Sequence, residues 1–162
     1  MRVVATTEIS APAEAVWKLV SDPARYLEFM SGVTRWEVQS DEPKGIGARY
    51  RMLLLVGSAE IGGLIEVVEW TEGSDLAWNS VTGIDQRGRW RLRERTRGRT
   101  HVELRLSYGV AGAGLSGWIS ERLAGPIVSG HLRRSVQQLK RLVEHEQLRE
   151  RAAERRKARA AA

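Results

Sequence analysis

No cysteine occurs in the 162 residues. That excludes a disulfide framework, thiolate metal ligands and thiol nucleophiles. Histidine is nearly as scarce, with only His101, His131 and His145. None belongs to a His-x-His, Glu-x-x-His or His-Glu-x-x-His arrangement, so neither a metal site nor a cofactor is expected. The longest apolar run is Met52 to Val56, far short of the roughly 20 residues that cross a bilayer. The opening stretch Met1 to Glu8 is polar by residue 6. It does not read as a secretory signal, and a cytoplasmic location is expected. A Gly-x-Ser-x-Gly nucleophile elbow is missing. Gly45-Ile46-Gly47 is too short for a dinucleotide fingerprint, and no parallel βαβ pattern surrounds it.

What remains is an ordinary soluble composition with an unusual charge chemistry. Apolar residues make up 42% of the chain, enough for a single core-forming domain. The formal net charge is +6, and of the 26 basic residues all but Lys18, Lys44, Lys140 and Lys157 are arginine. Residues 144–162 hold six of these bases against four glutamates. The rest of the excess is spread thinly, which gives little support to a nucleic-acid partner, and none is expected.

Periodicity places the elements. Arg2 to Ile9 alternates as a strand. Ala13 to Val20 carries Val16, Trp17 and Val20 at core spacing, with Ser10 and Glu14 as its start signal. Asp22-Pro23 stops this helix and opens a second one, from Ala24 to about Met30, which Ser31-Gly32 ends. Strands follow over 33–39, 47–56, 59–70, 76–82, 87–95 and 100–110. Gly57-Ser58 is read as a hairpin turn and Gly62-Gly63 as a bulge or bend. Arginine at every odd position from Arg87 to Arg99 fits a strand, with Trp90 and Leu92 on the other face. Arg97-Gly98-Arg99 is read as a turn. Leu115, Ile119, Leu123, Ile127, Leu132, Val136, Leu139 and Val143 mark one long helix. Gly125-Pro126 should kink or divide it. Beyond about Glu150 an apolar face is lost, and the chain is expected to project or fray.

This order resembles the START-like helix-grip superfamily, also called the SRPBCC or polyketide cyclase/dehydrase-like group. The residues that carry the likeness are Ile9-Ser-Ala-Pro-Ala-Glu-Ala-Val-Trp17, Asp22-Pro23, Gly45-Ile-Gly47, Leu76-Ala-Trp78, Gly98-Arg-Thr100 and the helix ending Leu139-Lys-Arg-Leu-Val-Glu144. The resemblance implies an α+β helix-grip fold: a curved antiparallel sheet of six or seven strands around a long C-terminal helix, with two short helices after strand one. It covers a domain of residues 1–146 and leaves 147–162 as a basic, helical or frayed extension. It also implies a cavity that takes a hydrophobic molecule. Its motifs belong to the scaffold and do not name a reaction.

Alternation names the side chains that would face such a cavity. They are Tyr50, Met52, Leu54, Ile65, Val67, Trp78, Ser80, Trp90, Leu92, Leu104, Leu106 and Tyr108 from the sheet. Ile119, Leu123, Ile127 and His131 come from the helix. The same residues could equally fill a solid core. Three functions follow. The first is binding or carriage of a lipid, fatty acid or polyketide-like molecule. The second is cyclase or dehydratase acid–base chemistry, for which Tyr50, Tyr108, Asn79, Asp85 and His131 are conceivable but no pair is fixed by spacing, so no catalytic residue is assigned. The third is docking on a membrane or a protein, either through Arg89, Arg91 and Arg93, helped by outward Leu53 and Leu55, or through the basic tail. Otherwise these arginines form a solvated face, with Glu60, Glu66 and Glu103 as cross-strand partners.

Overall fold

The structure, a computed structural model, describes residues 1–109 and 115–162, with side chains from 115 to 123 left out. Seven strands form one antiparallel sheet in the order β1-β7-β6-β5-β4-β3-β2. They are β1 (Arg2–Ile9), β2 (Val33–Val38), β3 (Arg49–Val56), β4 (Ala59–Thr71), β5 (Asp75–Ser80), β6 (Asp85–Arg95) and β7 (Arg99–Gly109). The short helices α1 (Ala13–Val20) and α2 (Tyr26–Phe29) separate β1 from β2, and α3 (Leu115–Ala161) follows the sheet. This is the α+β helix-grip arrangement, a curled sheet closed by one long helix.

Chain connectivity alone would make a meander. The exception is β1, which crosses over to pair with β7 from Arg2↔Ser107 to Ile9↔Thr100. The buried Thr100 hydroxyl pins that crossover by donating to the Ala11 carbonyl at 2.7 Å. On the inner face of β1, Val3, Ala5 and Ile9 are buried and Thr7 is half-buried, as a strand with one dry face requires. Helix α3 lies across this strand. Lys140 Nζ donates to the Glu8 carbonyl at 2.7 Å, and the Ser10 backbone N–H donates to Glu144 Oε1 at 2.9 Å. Val128, Leu132, Val136, Leu139 and Val143 face the sheet at steps of three and four.

Several boundaries differ from expectation. Pro12 caps α1 with extended backbone and without a side-chain hydrogen bond, so Ser10 serves as an anchor for α3 instead of a helix start. The segment after Asp22 begins as one 3₁₀ turn (Pro23–Arg25), capped by Asp22 Oδ1 accepting from the Ala24 N–H. Gly62 and Gly63 pair in register with Leu53 and Met52, and the bulge on β4 falls later, between Val67 and Glu69. The glycines serve a different purpose: a Cβ on Gly63 would run into the Thr82 carbonyl, and one on Gly83 into that of Gly62. Pro126 does not divide α3, which is helical on both sides of it. The stretch beyond residue 150 is helical to Ala161, so it projects as an ordered rod.

Candidate functional site

The concave face of the sheet has two unlike ends. One is packed with rings. Tyr26 stacks on Trp36 with centroids 4.1 Å apart, Trp36 meets Trp78 edge-on at 5.9 Å, and Trp36 tilts against Tyr50 at 5.5 Å. Phe29 meets Trp90 edge-on at 6.1 Å. Trp78, Trp90 and Phe29 are among the most deeply buried side chains of the chain. The Tyr26 hydroxyl donates to the Val20 carbonyl at 2.6 Å, and burial raises its pKa far above the ordinary phenol value. Burial also pushes the Tyr50 phenol up to about 12. Its hydroxyl donates to the Pro43 carbonyl at 2.6 Å. Both phenols therefore stay protonated at neutral pH and act as donors to the backbone.

The other end is aliphatic and hollow. Met52, Leu54, Ile61, Gly62, Ile84, Gln86, Leu106, Tyr108 and Val128 line a cavity of about 30 Å³ where β3, β4, β6 and β7 approach α3. Its polar side chains among these are Gln86 and Tyr108. The Tyr108 hydroxyl lies 3.2 Å from the Met1 sulfur, to which it donates. A cavity of this size holds a water-sized guest, whereas drug-sized ligands occupy about 300–1,000 Å³.

These two ends sort the residues predicted from alternation. Met52, Leu54, Leu106 and Tyr108 stand on the cavity wall. Tyr50, Ile65, Val67, Trp78, Trp90, Leu92 and Leu104 are core. Ser80 sits at the β5–β6 hairpin, where its hydroxyl accepts from the Gln86 N–H at 3.1 Å. Ile127 was expected to face inward but is 38% exposed, and Val128 takes the inward place on that turn. The side chains of Ile119 and Leu123 lie outside the described residues. Alternation along β6 could have found Gln86, two places from Gly88 and four from Trp90 on the same face. The spacing 128, 132, 136 could have found Val128. Ile61 and Ile84 flank glycines near hairpin ends, where period-two reasoning fails.

His131 acts as a latch beside this end. Its Nε2 lies 2.9 Å from the Leu55 carbonyl, which takes its proton, and its Nδ1 accepts from the Arg134 guanidinium at 2.9 Å. Ser31 Oγ lies 3.2 Å from the same Nδ1, and the Ser31 N–H donates to Ser135 Oγ at 2.9 Å. The ring packs flat against Gly32, whose φ of 78° and missing side chain leave the only room for it. Burial lowers the His131 pKa, the Leu55 carbonyl partly restores it, and the Arg134 charge lowers it again. The ring is thus held neutral and structural. Among the described residues no group of three His, Asp or Glu side chains could hold a metal ion.

The arginine face of β6 is also largely accounted for. Arg89 pairs with Glu69, while Arg91 and Arg93 reach Asp75 at 3.3 and 2.9 Å. Glu66 pairs with Arg49, and Glu103 with Arg105, so the expected partners Glu60, Glu66 and Glu103 are replaced by Glu69 and Asp75. Register sets Arg91 opposite both Asp75 on β5 and Glu103 on β7, and Glu103 is already held by Arg105. Burial raises the Asp75 carboxyl, but hydrogen bonds from Arg93 and Arg91 outweigh it and leave its pKa below the usual value.

No curated protein sequence matches the chain. Solved structures do. The protein TTHA0849 from Thermus thermophilus superposes with a TM-score of 0.76 at 23% identity, covering 88% of this chain and 97% of its own. The Zhui aromatase/cyclase from Streptomyces sp. R1128 gives 0.75 at 17% identity, covering 89% and 93%. A START superfamily protein from Mycobacterium smegmatis gives 0.66 at 18%, covering 89% and 97%. At these identities the likeness is one of fold. A family model described as "Polyketide cyclase / dehydrase and lipid transport" matches residues 1–144, and the chain belongs to that family.

Proposed function

We propose that the protein binds and carries a hydrophobic small molecule of the lipid, fatty-acid or polyketide class, seated at the aliphatic end of the sheet. The observation that supports this most is the division of the concave face. Rings fill one end, while Met52, Leu54, Leu106 and Val128 border a hollow at the other. Unbranched and γ-branched side chains can swing aside, and methionine most readily. The guest must supply the work of widening the hollow. At about 0.8 kcal/mol per buried CH₂, a twelve-carbon chain offers about 10 kcal/mol before that cost. Gln86 and Tyr108 stand where a carbonyl or carboxylate head could be met.

Native mass spectrometry of the purified protein, followed by solvent extraction, should recover an apolar guest. Met52→Trp and Leu106→Trp should each fill the hollow and abolish uptake of a fluorescent fatty acid, with circular dichroism unchanged. Undiminished uptake in both variants would sink the assignment to this cavity. A cyclase or dehydratase reading draws on the same wall, with Tyr108 as its hydroxyl. Turnover of a linear polyketide that stops on Tyr108→Phe would move the protein from carriage to catalysis.

A further inference from the structure

We propose that the outward face of α3 is a docking surface for an anionic lipid bilayer. The argument is geometric and does not depend on the cavity. At 100° per residue, the core-facing line of α3 through Leu132, Leu139 and Val143 continues past the domain into Glu146, Glu150 and Glu154. The opposite arc, about 160° wide, gathers Arg133, Arg134, Arg141, Arg149, Arg151, Arg155, Arg156 and Arg159, with Leu148 and Ala152 along its middle. From Arg133 to Arg159 this stripe runs about 39 Å at 1.5 Å per residue. All eight arginines are exposed. Residues 147–162 carry six bases and two acids, a net +4.

The β6 ladder is the rival surface, and the comparison favours the helix. Arg89, Arg91 and Arg93 are held by Glu69 and Asp75. Among the described residues Arg149, Arg151, Arg155, Arg156 and Arg159 form no ion pair. Glu144 is held by Lys140 at 2.8 Å, and Glu146 by Arg25 at 2.5 Å. Glu144 is the one acid on this arc, and beyond it the stripe is straight and purely basic, which suits a plane. It has no aromatic residue from 133 to 162 on which a base could stack. Its one large apolar side chain, Leu148, is 64% exposed and placed to enter the headgroup layer. Clustered arginines on a helix face draw affinity from the negative surface potential of the bilayer.

The test is co-sedimentation of the full chain with phosphatidylcholine vesicles, with and without phosphatidylserine. Binding is expected only with phosphatidylserine and should weaken steeply as salt rises. Replacing Arg149, Arg151, Arg155, Arg156 and Arg159 by Gln should weaken it about three-thousandfold, at about fivefold per arginine, with thermal unfolding unchanged. Arg87→Gln, Arg95→Gln and Arg97→Gln on the sheet should leave it intact. Equal binding to uncharged vesicles, no binding to charged ones, or full binding by the five-residue variant would overturn the proposal. Tighter binding to duplex nucleic acid than to phosphatidylserine vesicles at the same salt would overturn it too.

Discussion

The ring-filled and aliphatic ends of the concave face share strands β3 and β6 yet obey different packing rules. At the ring end Trp36, Trp78 and Trp90 interlock with Tyr26, Phe29 and Tyr50, and shape is fixed by edge and face contacts. At the aliphatic end Met52, Leu54 and Leu106 meet Val128 loosely enough to leave a cavity. The lesson is a division of labour. Rings seat α2 at one end through Tyr26 and Phe29, and aliphatic side chains border empty space at the other.

The largest test of this comparison is Trp90→Ala. Trp90 is fully buried, and its removal should cost about 3–5 kcal/mol in urea unfolding. Leu106→Ala removes a side chain that already borders empty space. It should sit near the lower edge of the leucine range, about 2–3 kcal/mol. Equal losses would erase the distinction between the ends. Gly88→Ala comes next. A Cβ on Gly88 would overlap the Trp78 ring, and that ring is walled in by Trp36. Overpacking should cost about 1–3 kcal/mol, read as a lower midpoint with an unchanged slope. A neutral result would show that the tryptophan cluster yields as easily as the methyl groups do.

Much of this was legible beforehand, because most of it is alternation. Period two on β3, β6 and β7 placed Tyr50, Met52, Trp90, Leu92, Leu104 and Leu106 on the inner face, and placed the β6 arginines on the outer one. Alternation tells inside from outside but carries no information on what a side chain meets across the gap. It could not divide Tyr50 from Met52, two residues apart, into core and cavity wall. Gly88 illustrates the same limit: on the strand it is one more inward position, and only the Trp78 ring lying over it explains why it has no side chain. The basic tail was legible too, but its union with Arg133, Arg134 and Arg141 on one helix face was not. Beyond Val143 the apolar signal ends, and the helix continues on charge pattern alone.

Smaller still is a pH effect at the latch beside the aliphatic end. Folding lowers the His131 pKa below its ordinary 6.5, mainly by burial, so the folded chain binds fewer protons there than the unfolded one. Stability from this group is complete above the ordinary value and is lost as the pH falls below it. Arg134 faces the ring from α3, with Ser31 and the Leu55 carbonyl on its other sides, so no acid is at hand to hold an added proton. Asp75 and Glu144 belong to a lower window. Their depressed carboxyl values are stabilising at neutral pH and fail only as acid titrates them. The melting temperature should therefore decline between about pH 7.5 and 5.5 in the natural chain. His131→Gln should flatten that decline while lowering stability slightly at pH 7.5, since an amide cannot keep both hydrogen bonds in the slot over Gly32. A decline of the same size in the variant would place the sensitivity elsewhere and leave His131 as packing alone.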